Sequence, residues 1–204
     1  MDKQHHSRSY HRFFEDWAEQ QILDEHGKIC ITRIYVGNYY LNAYSKAYQI
    51  FQEILYAVLY LLSVICFVFS GIQYTPVNMA ILPSAAAAIC TFALAFLAFP
   101  VFYNLFSPAE MIIRQYRRAS LELISKSTFV ASVLALAALV ELVSLFFISD
   151  APIKTTLSCV LGYILSAAFS FSLRLLEKRT PYAVLPPKAE RPENSTVIQY
   201  ESNF

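Results

Sequence analysis

The sequence predicts an all-α, polytopic integral membrane protein with four transmembrane helices, and three observations predict it. Residues 54–109 run for 56 positions without one Asp, Glu, Lys or Arg. Two more apolar runs follow, at 128–148 and 155–173, and the only ionisable residue inside either is Glu141. The chain of 204 residues is 56% hydrophobic, which leaves little polar chain for a soluble enzyme domain. A helix needs about 20 mostly apolar residues to cross a hydrocarbon core of roughly 30 Å. The charge-free stretch is long enough to supply two spans, at 54–72 and 79–106, joined by a tight uncharged turn.

Five regions follow in order. Residues 1–50 are polar, charged and aromatic, without the basic-then-apolar pattern of a cleaved leader, so the first span serves as its own insertion signal. Within them Tyr10, Phe13, Phe14, Trp17, Ala18, Gln21 and Ile22 recur at helical spacing, with Gly27 as a C-cap, and predict an amphipathic helix over Tyr10–Glu25. Its polar face is acidic, through Glu15, Asp16, Glu19, Asp24 and Glu25. That face suits the basic connector better than anionic lipid. A short extended piece around residues 28–36 comes next. Tyr40, Tyr44 and Tyr48 then repeat every four residues and predict a juxtamembrane helix that begins near Asn38 and runs into the first span.

Residues 51–106 form the first hairpin, with Pro83 and Pro100 near the two ends of its second helix, where they read as helix ends rather than hinges. Residues 107–126 form a connector helix carrying Arg114, Arg117 and Arg118, and residues 127–175 form the second hairpin. The remainder, 176–204, contains three prolines after Tyr182 and reads as a disordered tail.

Charge sets the expected orientation. Lys and Arg near span ends are retained in the cytoplasm. The connector and the flank with Arg174, Lys178 and Arg179 are basic, while 73–78 carries no charge and 149–154 one acid and one base. Both termini and the connector are therefore expected in the cytoplasm of a cell whose plasma (inner) membrane holds the protein. Only two short turns face outward, which excludes a receptor for large external ligands.

Three sets of residues are candidates for function. Glu141 is an intramembrane carboxylate, costly unless it faces the bundle interior, a partner or water. By depth, Ser63 or Cys66 on the first span and Ser158, Gly162 or Tyr163 on the fourth are its expected neighbours. Two readings stay open: a pore-lining or proton-titrating group, or a protonated acid hydrogen-bonded to Tyr163 or a backbone carbonyl that fixes helix register. Ser158, Gly162, Ser166 and Ser170 form a small-residue ladder at four-residue spacing, the pattern by which membrane helices approach closely. Arg114, Arg117 and Arg118 form a basic cytoplasmic surface.

Enzyme chemistry lacks a constellation to work with. There is no GxSxG, HExxH or Walker loop, and no CxxC or Cys/His cluster, so neither a cofactor nor a metal is expected. His5, His6 and His11 read as a solvated tail, and the Asn194-Ser195-Thr196 sequon falls on the cytoplasmic side. A charged, aromatic approach running into a tightly turned transmembrane hairpin, seen at 38–71 with its return span and again at 108–173, resembles the small membrane effectors of bacterial anti-phage and nucleotide-signalling operons, including SLATT-type two-span modules. This chain has four spans where that module has two. The resemblance implies a pore-forming or membrane-disrupting role in antiviral defence that ends in growth arrest. Two functions are thus expected in competition: an oligomeric channel-like or membrane-perturbing effector, and an adaptor that anchors a cytoplasmic partner without conducting. The partners either needs are the lipid bilayer and a second copy or a cytoplasmic protein, with no nucleic acid.

Overall fold

The computed structural model describes residues 16–23, 29–148 and 152–188. Four long helices dominate it: α1 (Lys46–Ile72), α2 (Ile81–Leu105), α4 (Glu122–Leu145) and α5 (Ile153–Arg179). Each is long and apolar enough to cross a membrane, and the chain is a multi-pass membrane protein. Short connections make sequential helices antiparallel. α1 packs against α2 and α5, and α4 against α2 and α5, so the four close into a ring around one core. That core holds Tyr56, Leu97, Val130, Leu134, Tyr163 and Leu173. Outward, α1 shows Ile54, Leu61 and Ile65, α2 shows Phe92, Phe96 and Phe99, and α4 shows Leu136 and Leu139, all more than half exposed. Water would not tolerate so continuous an apolar belt, whereas hydrocarbon covers it.

The proline positions follow from helix chemistry. Pro83 sits in the first turn of α2, where its missing N–H is one of the helix's orphans anyway. Pro100 lies buried in the last turns, and the helix continues past it to Leu105.

One end of the bundle carries strands that the sequence does not announce. β1 (Trp17–Leu23) and β2 (Ile29–Tyr35) form an antiparallel hairpin, with Trp17 opposite Tyr35 and Leu23 opposite Ile29. The expected amphipathic helix over Tyr10–Glu25 is therefore corrected to a strand over Trp17–Leu23, and its remaining positions lie outside the described residues. The helical stripe needed Gln21 counted as apolar. β2, rich in Ile, Thr and Tyr, supplies a strand partner that a local periodicity cannot detect. The extended piece expected around 28–36 is β2.

A second sheet joins β3 (Tyr39–Asn42), β4 (Glu110–Ile112) and β5 (Tyr182–Leu185) in the order β4-β3-β5, antiparallel throughout. Tyr39 pairs with Ile112 on one side and Leu185 on the other. With β3's backbone committed on both sides, α1 starts at Lys46 rather than near Asn38. The turn between them is held by the Asn42 side chain, whose Oδ1 accepts the Tyr44 N–H at 3.1 Å, and by Gln49 Nε2, which donates to the carbonyls of Asn42 and Tyr44. The connector is corrected in the same way. β4 precedes its helix, α3 (Ile113–Tyr116), which passes through a π-helical turn at Arg117–Leu121 into α4. The tail expected to be disordered from 176 instead completes α5 to Arg179 and adds β5. His5, His6, His11, the Asn194 sequon and residues 189–204 lie outside the described residues.

Candidate functional site

Three buried polar centres sit along the bundle, two of them between α1 and α5. At the sheet end, α5 brings Glu177 to within reach of α1, and only 2% of the residue is exposed. Its Oε2 accepts the Tyr56 hydroxyl at 2.6 Å and its Oε1 accepts the Tyr182 hydroxyl at 2.8 Å. Tyr56 is four residues past Gln52 on α1, so both project to one face. Gln52 Nε2 donates to the Tyr56 oxygen and to Thr180 Oγ1. Tyr182 is the first residue of β5, and Tyr116 meets it edge-on with ring centroids 5.0 Å apart. Tyr116 in turn stacks flat on Tyr40 of β3 at 4.3 Å. Burial, then the negative charge of Glu177, push the Tyr182 phenol well above its ordinary value, while the Ser120 hydroxyl of the π-helical turn works the other way. Tyr182 therefore remains a donor, and among the described residues no cation pairs with Glu177. Two phenols hold the carboxylate where a salt bridge would be expected.

The second centre is the ladder. Ser158, Gly162, Ser166 and Ser170 all face α1. Ser170 Oγ meets Ser63 Oγ at 2.8 Å, and Ser166 Oγ donates to the Ser63 carbonyl at 2.8 Å. A Cβ on Gly162 would collide with Ser70 Oγ and come within 2.9 Å of the Cys66 carbonyl. Ser70 Oγ donates to the Cys159 carbonyl at 2.9 Å, and Gln73 Nε2 reaches Ser158 Oγ at 3.2 Å. Four steps of one helix thus lock onto α1 by close backbone approach and interhelical hydroxyl bonds. At the loop end Asn78 Nδ2 closes the lock by donating to the carbonyls of Ser70 and Gln73.

The third centre is Glu141 on α4, 1% exposed. Its Oε1 is buried and has no hydrogen-bond partner among the described residues. Tyr163 instead packs edge-on against Phe67, with centroids 5.9 Å apart. Ser63, expected beside Glu141, is engaged by Ser166 and Ser170.

On the connector, Arg114, Arg117 and Arg118 are all exposed. What contacts it from the N-terminal side is the β-hairpin, not a helix. Tyr35 of β2 is buried, donates through its hydroxyl to the Asn38 carbonyl at 3.0 Å and accepts the Ile113 N–H at 3.2 Å. Its ring also meets Trp17 and Tyr39 edge-on. Burial pushes this phenol up. Glu177, Tyr56, Tyr182 and Tyr35 were missed by sequence reasoning. The available signal was an acid among the cations of 174–179: Glu177 lies seven residues after Ser170, on the same stripe.

These features define a four-span helical membrane protein with a strand-built module at one end. No family model matches the chain, and no curated protein or solved structure matches it either.

Proposed function

We propose that the chain is a non-enzymatic effector of the inner membrane, oligomeric and channel-like or membrane-perturbing, seen here with its bundle closed. The observation that carries this reading is the joint at the sheet end. Strands from before α1, between α2 and α4, and after α5 share one sheet, so a force applied there reaches every helix. The basic flanks put that joint in the cytoplasm with both termini, and the turns at 73–78 and around 149–154 outside. The hairpin β1–β2, tied to the joint by Tyr35, is the element that receives the signal. Glu141 supports the same reading, because an unpaired carboxyl oxygen is costly in a closed bundle and that cost is relieved if opening hydrates it. The layout's resemblance to small anti-phage membrane effectors gives antiviral defence as the setting.

A filled core favours a second reading, a non-conducting adaptor that anchors a cytoplasmic protein: Tyr56, Leu97, Leu134 and Leu173 leave at most 1% exposed. Membrane potential measured with a voltage-sensitive dye during overexpression separates the two. The effector depolarises the cell, and Glu141→Gln changes the depolarisation at equal protein level. If wild type never depolarises under any trigger, the adaptor reading replaces it. Labelling of a single cysteine at position 117 by an impermeant reagent in intact cells would overturn the orientation.

A further inference from the structure

On the outside of the bundle, α4 and α5 leave a groove that none of the three centres uses. Its floor is made of Ala131 and Ala135 from α4 and Ala167 and Ala168 from α5, and at the sheet end its wall is Phe171 and Arg174. This part holds about 390 Å3, and it continues past Ala138 into a further 330 Å3 whose lining is apolar throughout. Arg174 Nε is buried there with no hydrogen-bond partner among the described residues, and its guanidinium sits 5.3 Å from the centre of the Phe171 ring.

We propose that this groove binds a phospholipid with an anionic headgroup, one acyl chain along the alanine floor and the phosphate at Arg174. Two independent properties point to that occupant. An open groove floored by methyl groups accepts a linear hydrocarbon chain, and it runs between two helices that cross the bilayer. At one end it meets a guanidinium, whose fork of N–H donors matches phosphate oxygens in pairs. Because Nε is covered, the donors a phosphate meets are the terminal Nη groups. Arg174 also stands where a span reaches its basic flank, the depth at which headgroups lie, and exposed Lys178 one turn further adds to the positive field. A second copy of the chain fits less well, because the outward faces of α1 and α2 offer Ile54, Leu61, Phe92 and Phe96, which are bulky and carry nothing to accept from Arg174. The site stands whether the protein conducts or only anchors.

Native mass spectrometry of the full-length protein in detergent, titrated with phosphatidylglycerol or phosphatidylcholine of matched chains, tests this. Wild type should retain phosphatidylglycerol about fivefold better, the weight of one cation near an anionic headgroup. Arg174→Gln should abolish the preference, and Arg174→Lys should keep part of it. Ala135 is exposed, so Ala135→Leu fills the groove without a core clash and should reduce retention of both lipids at an unchanged melting temperature. Equal retention of the two lipids by wild type overturns the proposal, as does a preference that survives Arg174→Gln. If Ala135→Cys crosslinks two copies in membranes while Ala135→Leu leaves lipid retention intact, the groove belongs to a second copy and the proposal fails. Should Arg174→Gln not fold, the headgroup comparison on wild type and Arg174→Lys decides alone.

Discussion

Glu141 and Glu177 are both glutamates in long apolar helices, both with 2% exposure or less, and their surroundings are opposite. Glu177 has each carboxylate oxygen filled by a tyrosine hydroxyl, from α1 on one side and β5 on the other. Glu141 has a buried oxygen that no group among the described residues fills. Burial alone therefore says little about what an acid does. A carboxylate that organises its neighbours holds structure together, whereas one left unpaired is a cost retained in this state of the bundle, and such costs concentrate at sites that work.

Substitutions can break or sharpen that contrast. Glu177→Leu should have the largest effect, because it strands the buried Tyr56 phenol and the half-buried Tyr182 phenol and detaches β5 from α1. A loss of about 3 kcal/mol is expected from two charge-assisted hydrogen bonds, measured by denaturation in detergent. An unchanged midpoint would mean that the tyrosines do not depend on the acid.

Next comes Gly162→Leu, for which overpacking should cost about 2 kcal/mol by forcing α5 away from Ser70 and Cys66. Ser166→Ala should cost only about 0.6 kcal/mol, the usual worth of an interhelical hydroxyl bond in a membrane protein. Equal tolerance of the two would remove close approach as the reason for the ladder.

Glu141→Leu should go the other way and raise stability by about 1 kcal/mol, since it removes an unsatisfied buried oxygen, and if the proposed effector function holds, depolarisation should change with it. A clear loss of stability would reveal that Glu141 is structural after all. The smallest effect concerns alkaline pH. Because the Tyr182 phenol is raised above the ordinary value of 10.0, the folded state holds its proton longer than the unfolded state. Its contribution is complete below that value and declines as the pH rises past it. Tyr182→Phe should flatten the alkaline limb of the stability profile, and an identical limb in both proteins would contradict the assignment.

The spans and the ladder were legible because each depends on a property of one helix: length without charge, and small residues every four positions. Ser158, Gly162, Ser166 and Ser170 make the close approach that spacing implies, but the spacing does not say which helix they meet, and it is α1 rather than the alanines of α2 or α4. The strands were not legible, because β3, β4 and β5 are three or four residues long and exist only through partners in distant segments. Tyr40, Tyr44 and Tyr48 carry a real helical spacing, but Tyr40 answers to Tyr116 and only Tyr48 to the helix. Glu177 was hidden by its cationic neighbours, which made the end of α5 look like a solvated flank. Ser63 was expected beside Glu141 from depth along the spans, and depth cannot say which of two facing helices a hydroxyl will choose.

The sheet also imposes an order of events on biosynthesis. β3 leaves the ribosome before any span exists, and its partner β5 emerges only after all four have been made, so Tyr39 must wait for Leu185. Until then the stretch between the hairpin and α1 has exposed backbone donors and acceptors and no mate on that side. Closure of that strand pair therefore waits on synthesis of the last helix, and a chain that stalls midway is left with an open edge.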